Sequence, residues 1–234
     1  MTGPGPPAGG VPPAGVRTVG PGSDRTTRVV LVRHGESVCA RDGIVGGIRG
    51  CTGLSPAGQA QAGALRDRLA RTGELDGATA LYASVLPRAT ETARAIAPVV
   101  GGGGLPVVED CDLCELHPGE ADGLTWTEFG RRYPEPDWDT DPTVPVSPGG
   151  ESWTGFVERA SSAVARLARR HPGELVVVAC HAGVVEATLL AFLPVGGPGR
   201  RLKLHTAYTA LTDWELGPVG WRLARYNDAA HLAP

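Results

Sequence analysis

Two arginines and two histidines stand just after segments that are typical of buried β-strands. Arg33 and His34 follow the run RVVLV, Arg88 lies just beyond ATALYAS, and His181 follows LVVVAC. Because ligands bind beyond the carboxyl ends of the strands in open α/β sheets, we expect these side chains to meet at one site. A guanidinium is a planar, bidentate donor for phosphate oxygens, and an imidazole can donate to phosphate or attack phosphorus. The pattern therefore predicts a phosphate site whose chemistry is phosphoryl transfer.

Strand-like and helix-like segments alternate along most of the chain and must position these residues. Short β-branched apolar runs indicate buried strands, whereas Ser55-Pro56, Pro87 and the apolar spacing after Trp153 indicate helices. The predicted strands are 28–32, 79–84, 106–109 and 175–180, and the predicted helices are 55–71, 87–100, 153–170 and 184–193. Alternating runs at 204–216 and 219–226 predict a hairpin. We expect a three-layer α/β sandwich with a mostly parallel central sheet, helices on both faces and an antiparallel C-terminal edge hairpin.

The first part of the chain differs in composition from the rest. Residues 1–27 contain six Pro and seven Gly and few side chains that could be buried. Such a segment does not offset its ordering entropy, so we expect a disordered tail followed by one domain at 28–234. The first residues lack the basic and then apolar pattern of a secretory signal, which favours a cytoplasmic location.

Charge and hydropathy limit the classes of partner. Lys and Arg number 22, Asp and Glu number 25, and the formal net charge is −3 without a long run of like charge. We therefore expect no nucleic-acid partner. Apolar runs fall far short of the ~20 residues of a membrane-spanning helix, so we expect no membrane partner either. The sequence leaves open whether the chain forms a homodimer.

Six short motifs carry a resemblance to a known family. They are VRHGES (32–37), LSPAGQAQA (54–62), ASVLPRATETA (83–93), DLCEL (112–116), PGGES (148–152) and VVVACHAGVV (176–185). In this order they resemble the motifs of the histidine phosphatase superfamily, to which the cofactor-dependent phosphoglycerate mutases also belong. RYNDAAHL (225–232) resembles the ending of many small phosphatases in this group. Five or more collinear motifs would not arise by chance.

The resemblance implies a two-step reaction and assigns a role to each site residue. His34 would attack phosphorus and become a phosphohistidine, which water then hydrolyses. Arg33, Arg88 and His181 would surround the phosphate oxygens with fixed donors. Glu115 stands where the family has its general acid, which protonates the leaving alkoxide and later serves as the base toward water. No metal and no cofactor are implied.

Further positions are compared with the same family pattern. Gly46 and Gly47 align with a turn that contacts substrate, and Ala182 is expected to contact substrate beside His181. Ala40 stands where many members have Asn, which removes one donor to the phosphate or the substrate. We expect phosphate binding to survive on the remaining donors.

The sequence thus predicts a metal-independent phosphatase that hydrolyses a phosphate monoester of a small molecule. One alternative is a phosphomutase, but Glu115 is followed by LHPG and not by the Arg-His-Tyr-Gly run of the mutases. A second alternative is a phosphate-binding module without turnover. The presence of both His34 and Glu115 argues against it, because binding alone has no use for an acid.

The five cysteines suggest a third class of function. An odd number without a secretory signal favours free thiols. Cys111-x-x-Cys114 resembles half a zinc site or a redox pair. A zinc site is disfavoured because no second ligand pair is suitably spaced, and His117 alone brings the ligand count to three.

Three expectations concern the surroundings of the site. Residues 125–133 are predicted to form a small helix over the pocket. Glu120 and Asp122 are interpreted as spare carboxylates near the acid. The arginines of the helix at 153–170, including Arg159, are expected on its solvated face.

Overall fold

A six-stranded sheet forms the centre of the fold in the computed structural model, which describes residues 26–194 and 204–233. Its strands are β1 (Thr27–Arg33), β2 (Ala78–Ala83), β3 (Val107–Glu109), β4 (Leu175–Cys180), β5 (Leu211–Gly217) and β6 (Gly220–Asp228). They lie in the order β3-β2-β4-β1-β5-β6. The first four are parallel, whereas β5 runs antiparallel to β1 and β6 antiparallel to β5.

Helices cover both faces of this sheet. They are α1 (Val38–Arg41), α2 (Pro56–Thr72), α3 (Pro87–Ile96), α4 (Trp126–Arg132), α5 (Trp153–Arg170) and α6 (Ala182–Phe192). Single 3-10 turns lie at Ala97–Val99, Cys111–Leu113, Gly119–Ala121 and Ala230–Leu232. Within the described residues, no helix has both the length and the apolar character needed to cross a membrane.

The alternation of side chains along β1 divides the core into two layers. Val29 and Leu31 belong to the cluster formed with α5 and α6. Val30 and Val32 belong to the cluster formed with α2 and α3. All four are fully buried, because successive side chains of a strand point to opposite faces and both faces are covered. This is the three-layer α/β sandwich that the sequence predicts, and the fold class is confirmed.

Local signals define where the main helices begin and end. The Ser55 side chain caps α2 by accepting a hydrogen bond from the Gly58 N–H, with Pro56 in the first turn. Gly73 ends that helix in the left-handed conformation, at φ 63°, which glycine adopts without strain. The Ser152 side chain caps α5 by accepting from the Gly155 N–H. These caps fix the two helices that flank the sheet.

The observed element boundaries depart from the predicted ones at several places. The predicted strand at 204–216 begins only at Leu211, so 204–210 is a loop that leads to the edge hairpin. Helix α6 begins at Ala182 and not at 184 as predicted, so His181 is the N-cap of this helix. At the start of the domain, Thr27 is buried in β1, and its hydroxyl accepts from the Gly173 N–H. Residues 1–25 of the predicted tail lie outside the described residues.

A buried carboxylate joins the edge hairpin to the rest of the sheet. Asp213 on β5 accepts hydrogen bonds from Arg28 on β1 and from Arg225 on β6, and its side chain is only 5% exposed. Arg225 also pairs with Glu74 and Asp228. Burial raises the pKa of Glu74, but the hydrogen bond and charge of Arg225 outweigh this and lower it overall. The network ties together three strands and the loop after α2.

We predict that Asp213→Asn destabilises the domain without changing its fold. The change leaves two arginines without their shared countercharge, and hydrogen bonds to charged groups contribute about 1.5–3 kcal/mol each. Chemical denaturation followed by circular dichroism measures the loss. The matched control is Asp67→Asn, which removes an exposed carboxylate paired only with its neighbour Arg66. Equal stability of the two variants would contradict the structural role of Asp213.

Candidate active site

His34 lies at the carboxyl end of β1 and is held by hydrogen bonds on three sides. The main-chain N–H of His34 donates to the Cys180 carbonyl at 2.9 Å, and its ring Nδ1 lies 2.6 Å from the Gly35 carbonyl. Its Nε2 lies 3.1 Å from the Nε of Arg88. Because the Arg88 N–H can only donate, Nε2 must accept and Nδ1 must carry the proton. This tautomer directs the lone pair of Nε2 toward Arg88.

The surroundings of His34 favour its neutral form. Burial lowers the pKa of its imidazole well below the ordinary value, and the positive charges of Arg88 and Arg33 lower it further. The same causes, burial first, lower the pKa of His181. Neutral imidazole is the nucleophilic form, so His34 is already in the protonation state that the predicted attack needs.

Arg88 and Arg33 place two cations beside the His34 ring. Arg88 is in the first turn of α3 and donates to the Gly46 carbonyl at 2.7 Å as well as to His34. The Arg33 guanidinium stacks 4.0 Å above the Tyr208 ring and donates to the Thr206 carbonyl. The Nε of Arg33 is buried without a hydrogen-bond partner among the described residues. A bound anion would supply that partner.

His181 stands behind His34, and the two ring centroids are 5.1 Å apart. It is fully buried, and its Nε2 lies 2.8 Å from the Ser84 hydroxyl. Its Nδ1 is also buried without a partner in the described part of the chain. The Ser84 oxygen accepts from the Leu86 N–H, and its one proton can be given either to His181 or to the Cys114 sulfur, which is 3.3 Å away. When Ser84 donates to His181, Nδ1 of the neutral ring carries a proton and can donate to an anion.

Glu115 brings a carboxyl group to the same cavity. Its Oε2 accepts from the Gly183 N–H at 3.1 Å, and its Oε1 accepts from the Leu116 N–H at 3.2 Å. Burial lowers the pKa of Arg33, and the negative charge of Glu115 partly offsets this. Both side chains line the cavity together with His34. The structure therefore brings the predicted acid to the predicted nucleophile and arginines.

The predicted substrate contacts are only partly at the cavity. Gly46 and Ala182 line it, as does Ala40. Gly47 is not among the lining residues, because its N–H donates to the Asp122 carboxylate at 2.9 Å. A Cβ on Gly46 would lie 2.4 Å from the Cys39 sulfur, so glycine is needed where this loop approaches the site.

Two expectations for charged residues are wrong. Asp122 is not a spare carboxylate: it accepts from the N–H groups of Gly47, Arg49 and Gly50 and so holds the loop beside Arg88. Arg159 is not on a solvated face, since its side chain is only 16% exposed and donates to backbone carbonyls of the segment that carries Glu115. Each contact joins residues more than 40 positions apart, which local patterns do not indicate.

Arg159 and Glu151 together hold the segment that carries the acid. Arg159 donates to both carboxylate oxygens of Glu151 at 2.7 and 2.6 Å and to the Cys114 carbonyl at 3.1 Å. Glu151 also accepts from the His117 N–H at 2.8 Å. Burial raises the pKa of Glu151, but its contacts with Arg159 and His117 lower it overall. These hydrogen bonds to Cys114 and His117 thus hold the backbone on both sides of Glu115.

Beyond the phosphate end, the cavity of about 520 Å³ becomes mainly apolar. Trp126 and Phe129 of α4 contribute to this wall, as the prediction of a helix over the pocket requires, together with Trp138 and Trp153. Glu135 and Glu186 add carboxylates, and within residues 26–194 and 204–233 the cations that line the cavity are Arg33 and Arg88. A second group of reactive side chains, Cys111, Cys114 and His117, lies together outside this lining.

Known proteins resemble this chain over most of its length. The model of the histidine phosphatase superfamily (branch 1) matches residues 29–229. A metal-independent phosphoserine phosphatase of Arabidopsis thaliana is 32% identical over 212 residues, covering 88% of this chain and 84% of its own. The phosphoglycerate mutase-like protein 4 of the same plant is 34% identical over 207 residues, covering 87% and 86%.

A solved structure agrees over nearly the whole described domain. The mycobacterial glucosyl-3-phosphoglycerate phosphatase in complex with VO3 has a TM-score of 0.70 and 26% identity, and the match covers 86% of this chain and 98% of that one. The family model spans Arg33, His34, Arg88, Glu115 and His181. The chain belongs to the histidine phosphatase superfamily, branch 1.

Proposed function

We propose that this protein is a metal-independent phosphatase that hydrolyses phosphate monoesters of small molecules through a phosphohistidine at His34. The observation that carries this proposal is the buried, neutral His34, whose Nε2 lone pair faces Arg88 inside a cavity that also contains Glu115. A phosphate group that takes over the Arg88 N–H frees this lone pair to attack. The metal-independent relative in Arabidopsis thaliana supports the same chemistry.

The first step transfers the phosphoryl group to the protein. His34 Nε2 forms a bond to phosphorus while the bond from phosphorus to the alcohol oxygen breaks. The bonding electron pair leaves with the alcohol oxygen, which takes the proton of Glu115. The guanidinium groups of Arg33 and Arg88 stabilise the charge on the equatorial oxygens, as does a proton on Nδ1 of His181.

The second step releases inorganic phosphate. The Glu115 carboxylate takes a proton from water as the water oxygen forms a bond to phosphorus. The bond between phosphorus and Nε2 breaks, and its electron pair returns to His34. Arginine and histidine donors supply the charge stabilisation that a metal ion supplies in other phosphatases.

The cavity wall supports hydrolysis of a substrate with a single strongly anionic group. A phosphoglycerate-type mutase holds a carboxylated substrate with further basic residues, whereas among the described residues Arg33 and Arg88 are the cations that line this cavity, and both lie at the phosphate end. The wall offers Trp126, Phe129 and the carboxylate of Glu135 instead. We therefore propose an alcohol moiety that is neutral and partly apolar, or cationic.

We also propose a cytoplasmic location for the protein. The odd number of cysteines supports it, because exported proteins usually pair their cysteines in disulfides, whereas free thiols are usual in the cytoplasm.

We predict that rapid quenching at alkaline pH traps one phosphoryl group per chain on His34. Phosphohistidine is stable to base and labile to acid, which separates it from phosphoserine. His34→Ala should trap none and should lose turnover. The matched control is His205→Ala, which removes an exposed imidazole and should trap as much as the unaltered protein. Trapping that survives in His34→Ala would place the nucleophile elsewhere.

We predict that Glu115→Gln slows alkyl phosphates far more than aryl phosphates. General-acid assistance contributes about 10²- to 10⁴-fold and matters most for a poor leaving group, whereas a phenolate leaves without help. Steady-state turnover of the two substrate types measures the difference. Glu120→Gln alters an exposed carboxylate that accepts from the Tyr133 hydroxyl and should leave the ratio unchanged. Equal impairment of both substrates by Glu115→Gln would assign Glu115 to structure.

We predict that the His34 ring stays neutral at pH values where an ordinary imidazole is protonated. Its lowered pKa means that the neutral, nucleophilic form persists as the pH falls through about 6.5, the ordinary histidine value. Long-range ¹H–¹⁵N spectra report the charge of the ring, and the signals absent from His34→Ala identify it. A ring that becomes charged at or above pH 6.5 would contradict the effect of burial and of the two arginines.

A further inference from the structure

Three metal-ligating side chains lie together on the segment that carries Glu115. The sulfurs of Cys111 and Cys114 are 3.6 Å apart, and the Cys111 sulfur is 4.0 Å from Nε2 of His117. All three ligand atoms lie within 4.8 Å of one another. The reaction derived above uses none of them, so their proximity has no role in phosphoryl transfer.

These separations are close to those of a tetrahedral zinc site. Zinc–sulfur bonds of about 2.3 Å and zinc–nitrogen bonds of about 2.0–2.1 Å place two sulfurs about 3.8 Å apart and a sulfur and a nitrogen about 3.6 Å apart. The sulfurs of Cys111 and Cys114 already fit, and the His117 ring has to approach them by less than about 1.5 Å. Three protein ligands suffice when water or an added ligand occupies the fourth position.

The other nitrogen of His117 faces a carboxylate. Its Nδ1 lies 3.7 Å from Oε2 of Glu151. Metal-bound histidines usually direct their second N–H to a carboxylate or a carbonyl, which fixes the tautomer with the free lone pair toward the metal. Two nitrogens of the Arg159 guanidinium donate to Glu151, so the carboxylate beside His117 has a fixed position.

The thiols also have a cation beside them. Arg159 donates to the carbonyls of Asp112 and Cys114, which places its positive charge next to both cysteines. The same two hydrogen bonds fix the backbone between the cysteines. The ligands are therefore arranged before a metal arrives.

Solvent can reach the site from one side. Cys111 is exposed and the His117 side chain is 37% exposed, whereas Cys114 is fully buried. A metal ion can therefore enter past Cys111 and His117, and the fourth ligand position faces outward. Two thiolates and one imidazole suit a thiophilic d¹⁰ cation and do not suit Mg²⁺ or Ca²⁺, which prefer oxygen ligands.

We propose that Cys111, Cys114 and His117 bind one Zn²⁺ ion outside the catalytic cavity. Because Glu115 lies between Cys114 and His117 in the chain, the bound ion stiffens the segment that carries the acid. The ion takes no part in the bond-making steps, so the metal-free protein remains an active phosphatase.

The test measures Zn²⁺ binding by the full-length, reduced protein after removal of metal with EDTA. Calorimetry and metal analysis should give one Zn²⁺ per chain, and Co²⁺ should produce thiolate charge-transfer absorption. Cys111→Ser and His117→Ala should each weaken binding at least tenfold. Binding should also weaken as the pH falls, because the thiols and the imidazole must lose their protons.

Matched variants separate this site from other ligands. Cys51→Ala removes a buried cysteine outside the group, and His34→Ala removes the nucleophile; both should still bind one Zn²⁺. Hydrogen exchange of residues 111–117 should slow on Zn²⁺ addition in these two variants and in the unaltered protein, but not in Cys111→Ser. Since His34→Ala has no turnover, its Zn²⁺ binding tests this site independently of the proposed phosphatase activity.

Two results would overturn the site. One is the absence of stoichiometric Zn²⁺ binding by protein whose thiols are shown to be free by titration. The other is full binding by Cys111→Ser with loss of binding in His34→Ala, which would place the ion in the catalytic cavity.

Discussion

The parallel pairing of β1 with β4 places both histidines at the phosphate end of the site. In this register Arg33 lies opposite Cys180, and the His34 N–H extends the pairing to the Cys180 carbonyl. His34 and His181 therefore leave the sheet side by side. A shift of one residue would turn the side chains of β1 to the opposite face and exchange its two core layers. The full burial of β1 on both faces makes such a shift costly.

Two guanidinium groups lie beside His34 at the phosphate end of the cavity, and burial removes much of their hydration. Arg88 is 5% exposed and donates to His34. The pKa of His34 is lowered first by burial and then by the positive charges of Arg88 and Arg33, so the ring remains neutral. The Nε of Arg33 is buried without a hydrogen-bond partner among the described residues. A phosphate group would pair with this N–H and with both positive charges, which makes this end of the cavity favourable for an anion.

The sequence predicts the site residues that directly follow strands. It does not predict contacts between residues that are far apart in the sequence. Arg33, His34, Arg88 and His181 could be placed together because parallel strands end at one edge. The family motifs located Glu115. Helical spacing could not show that Arg159 contacts the segment that carries Glu115. Its side chain donates to backbone carbonyls that are 44–47 residues away in the sequence. The grouping of His117 with Cys111 likewise depends on how that segment folds against Glu151.

One hydroxyl group lies between His181 at the phosphate end and Cys114 on the segment that carries Glu115. The Ser84 oxygen accepts from the Leu86 N–H and lies 2.8 Å from Nε2 of His181 and 3.3 Å from the Cys114 sulfur. Its single proton can be given to only one of these two neighbours. When Ser84 donates to His181, Nδ1 of the neutral His181 ring carries a proton that a phosphate oxygen can accept. When Ser84 donates to the Cys114 sulfur, His181 must donate from Nε2 to Ser84, and its Nδ1 has no proton for phosphate. The partner to which Ser84 donates therefore decides whether His181 is a donor to a bound anion.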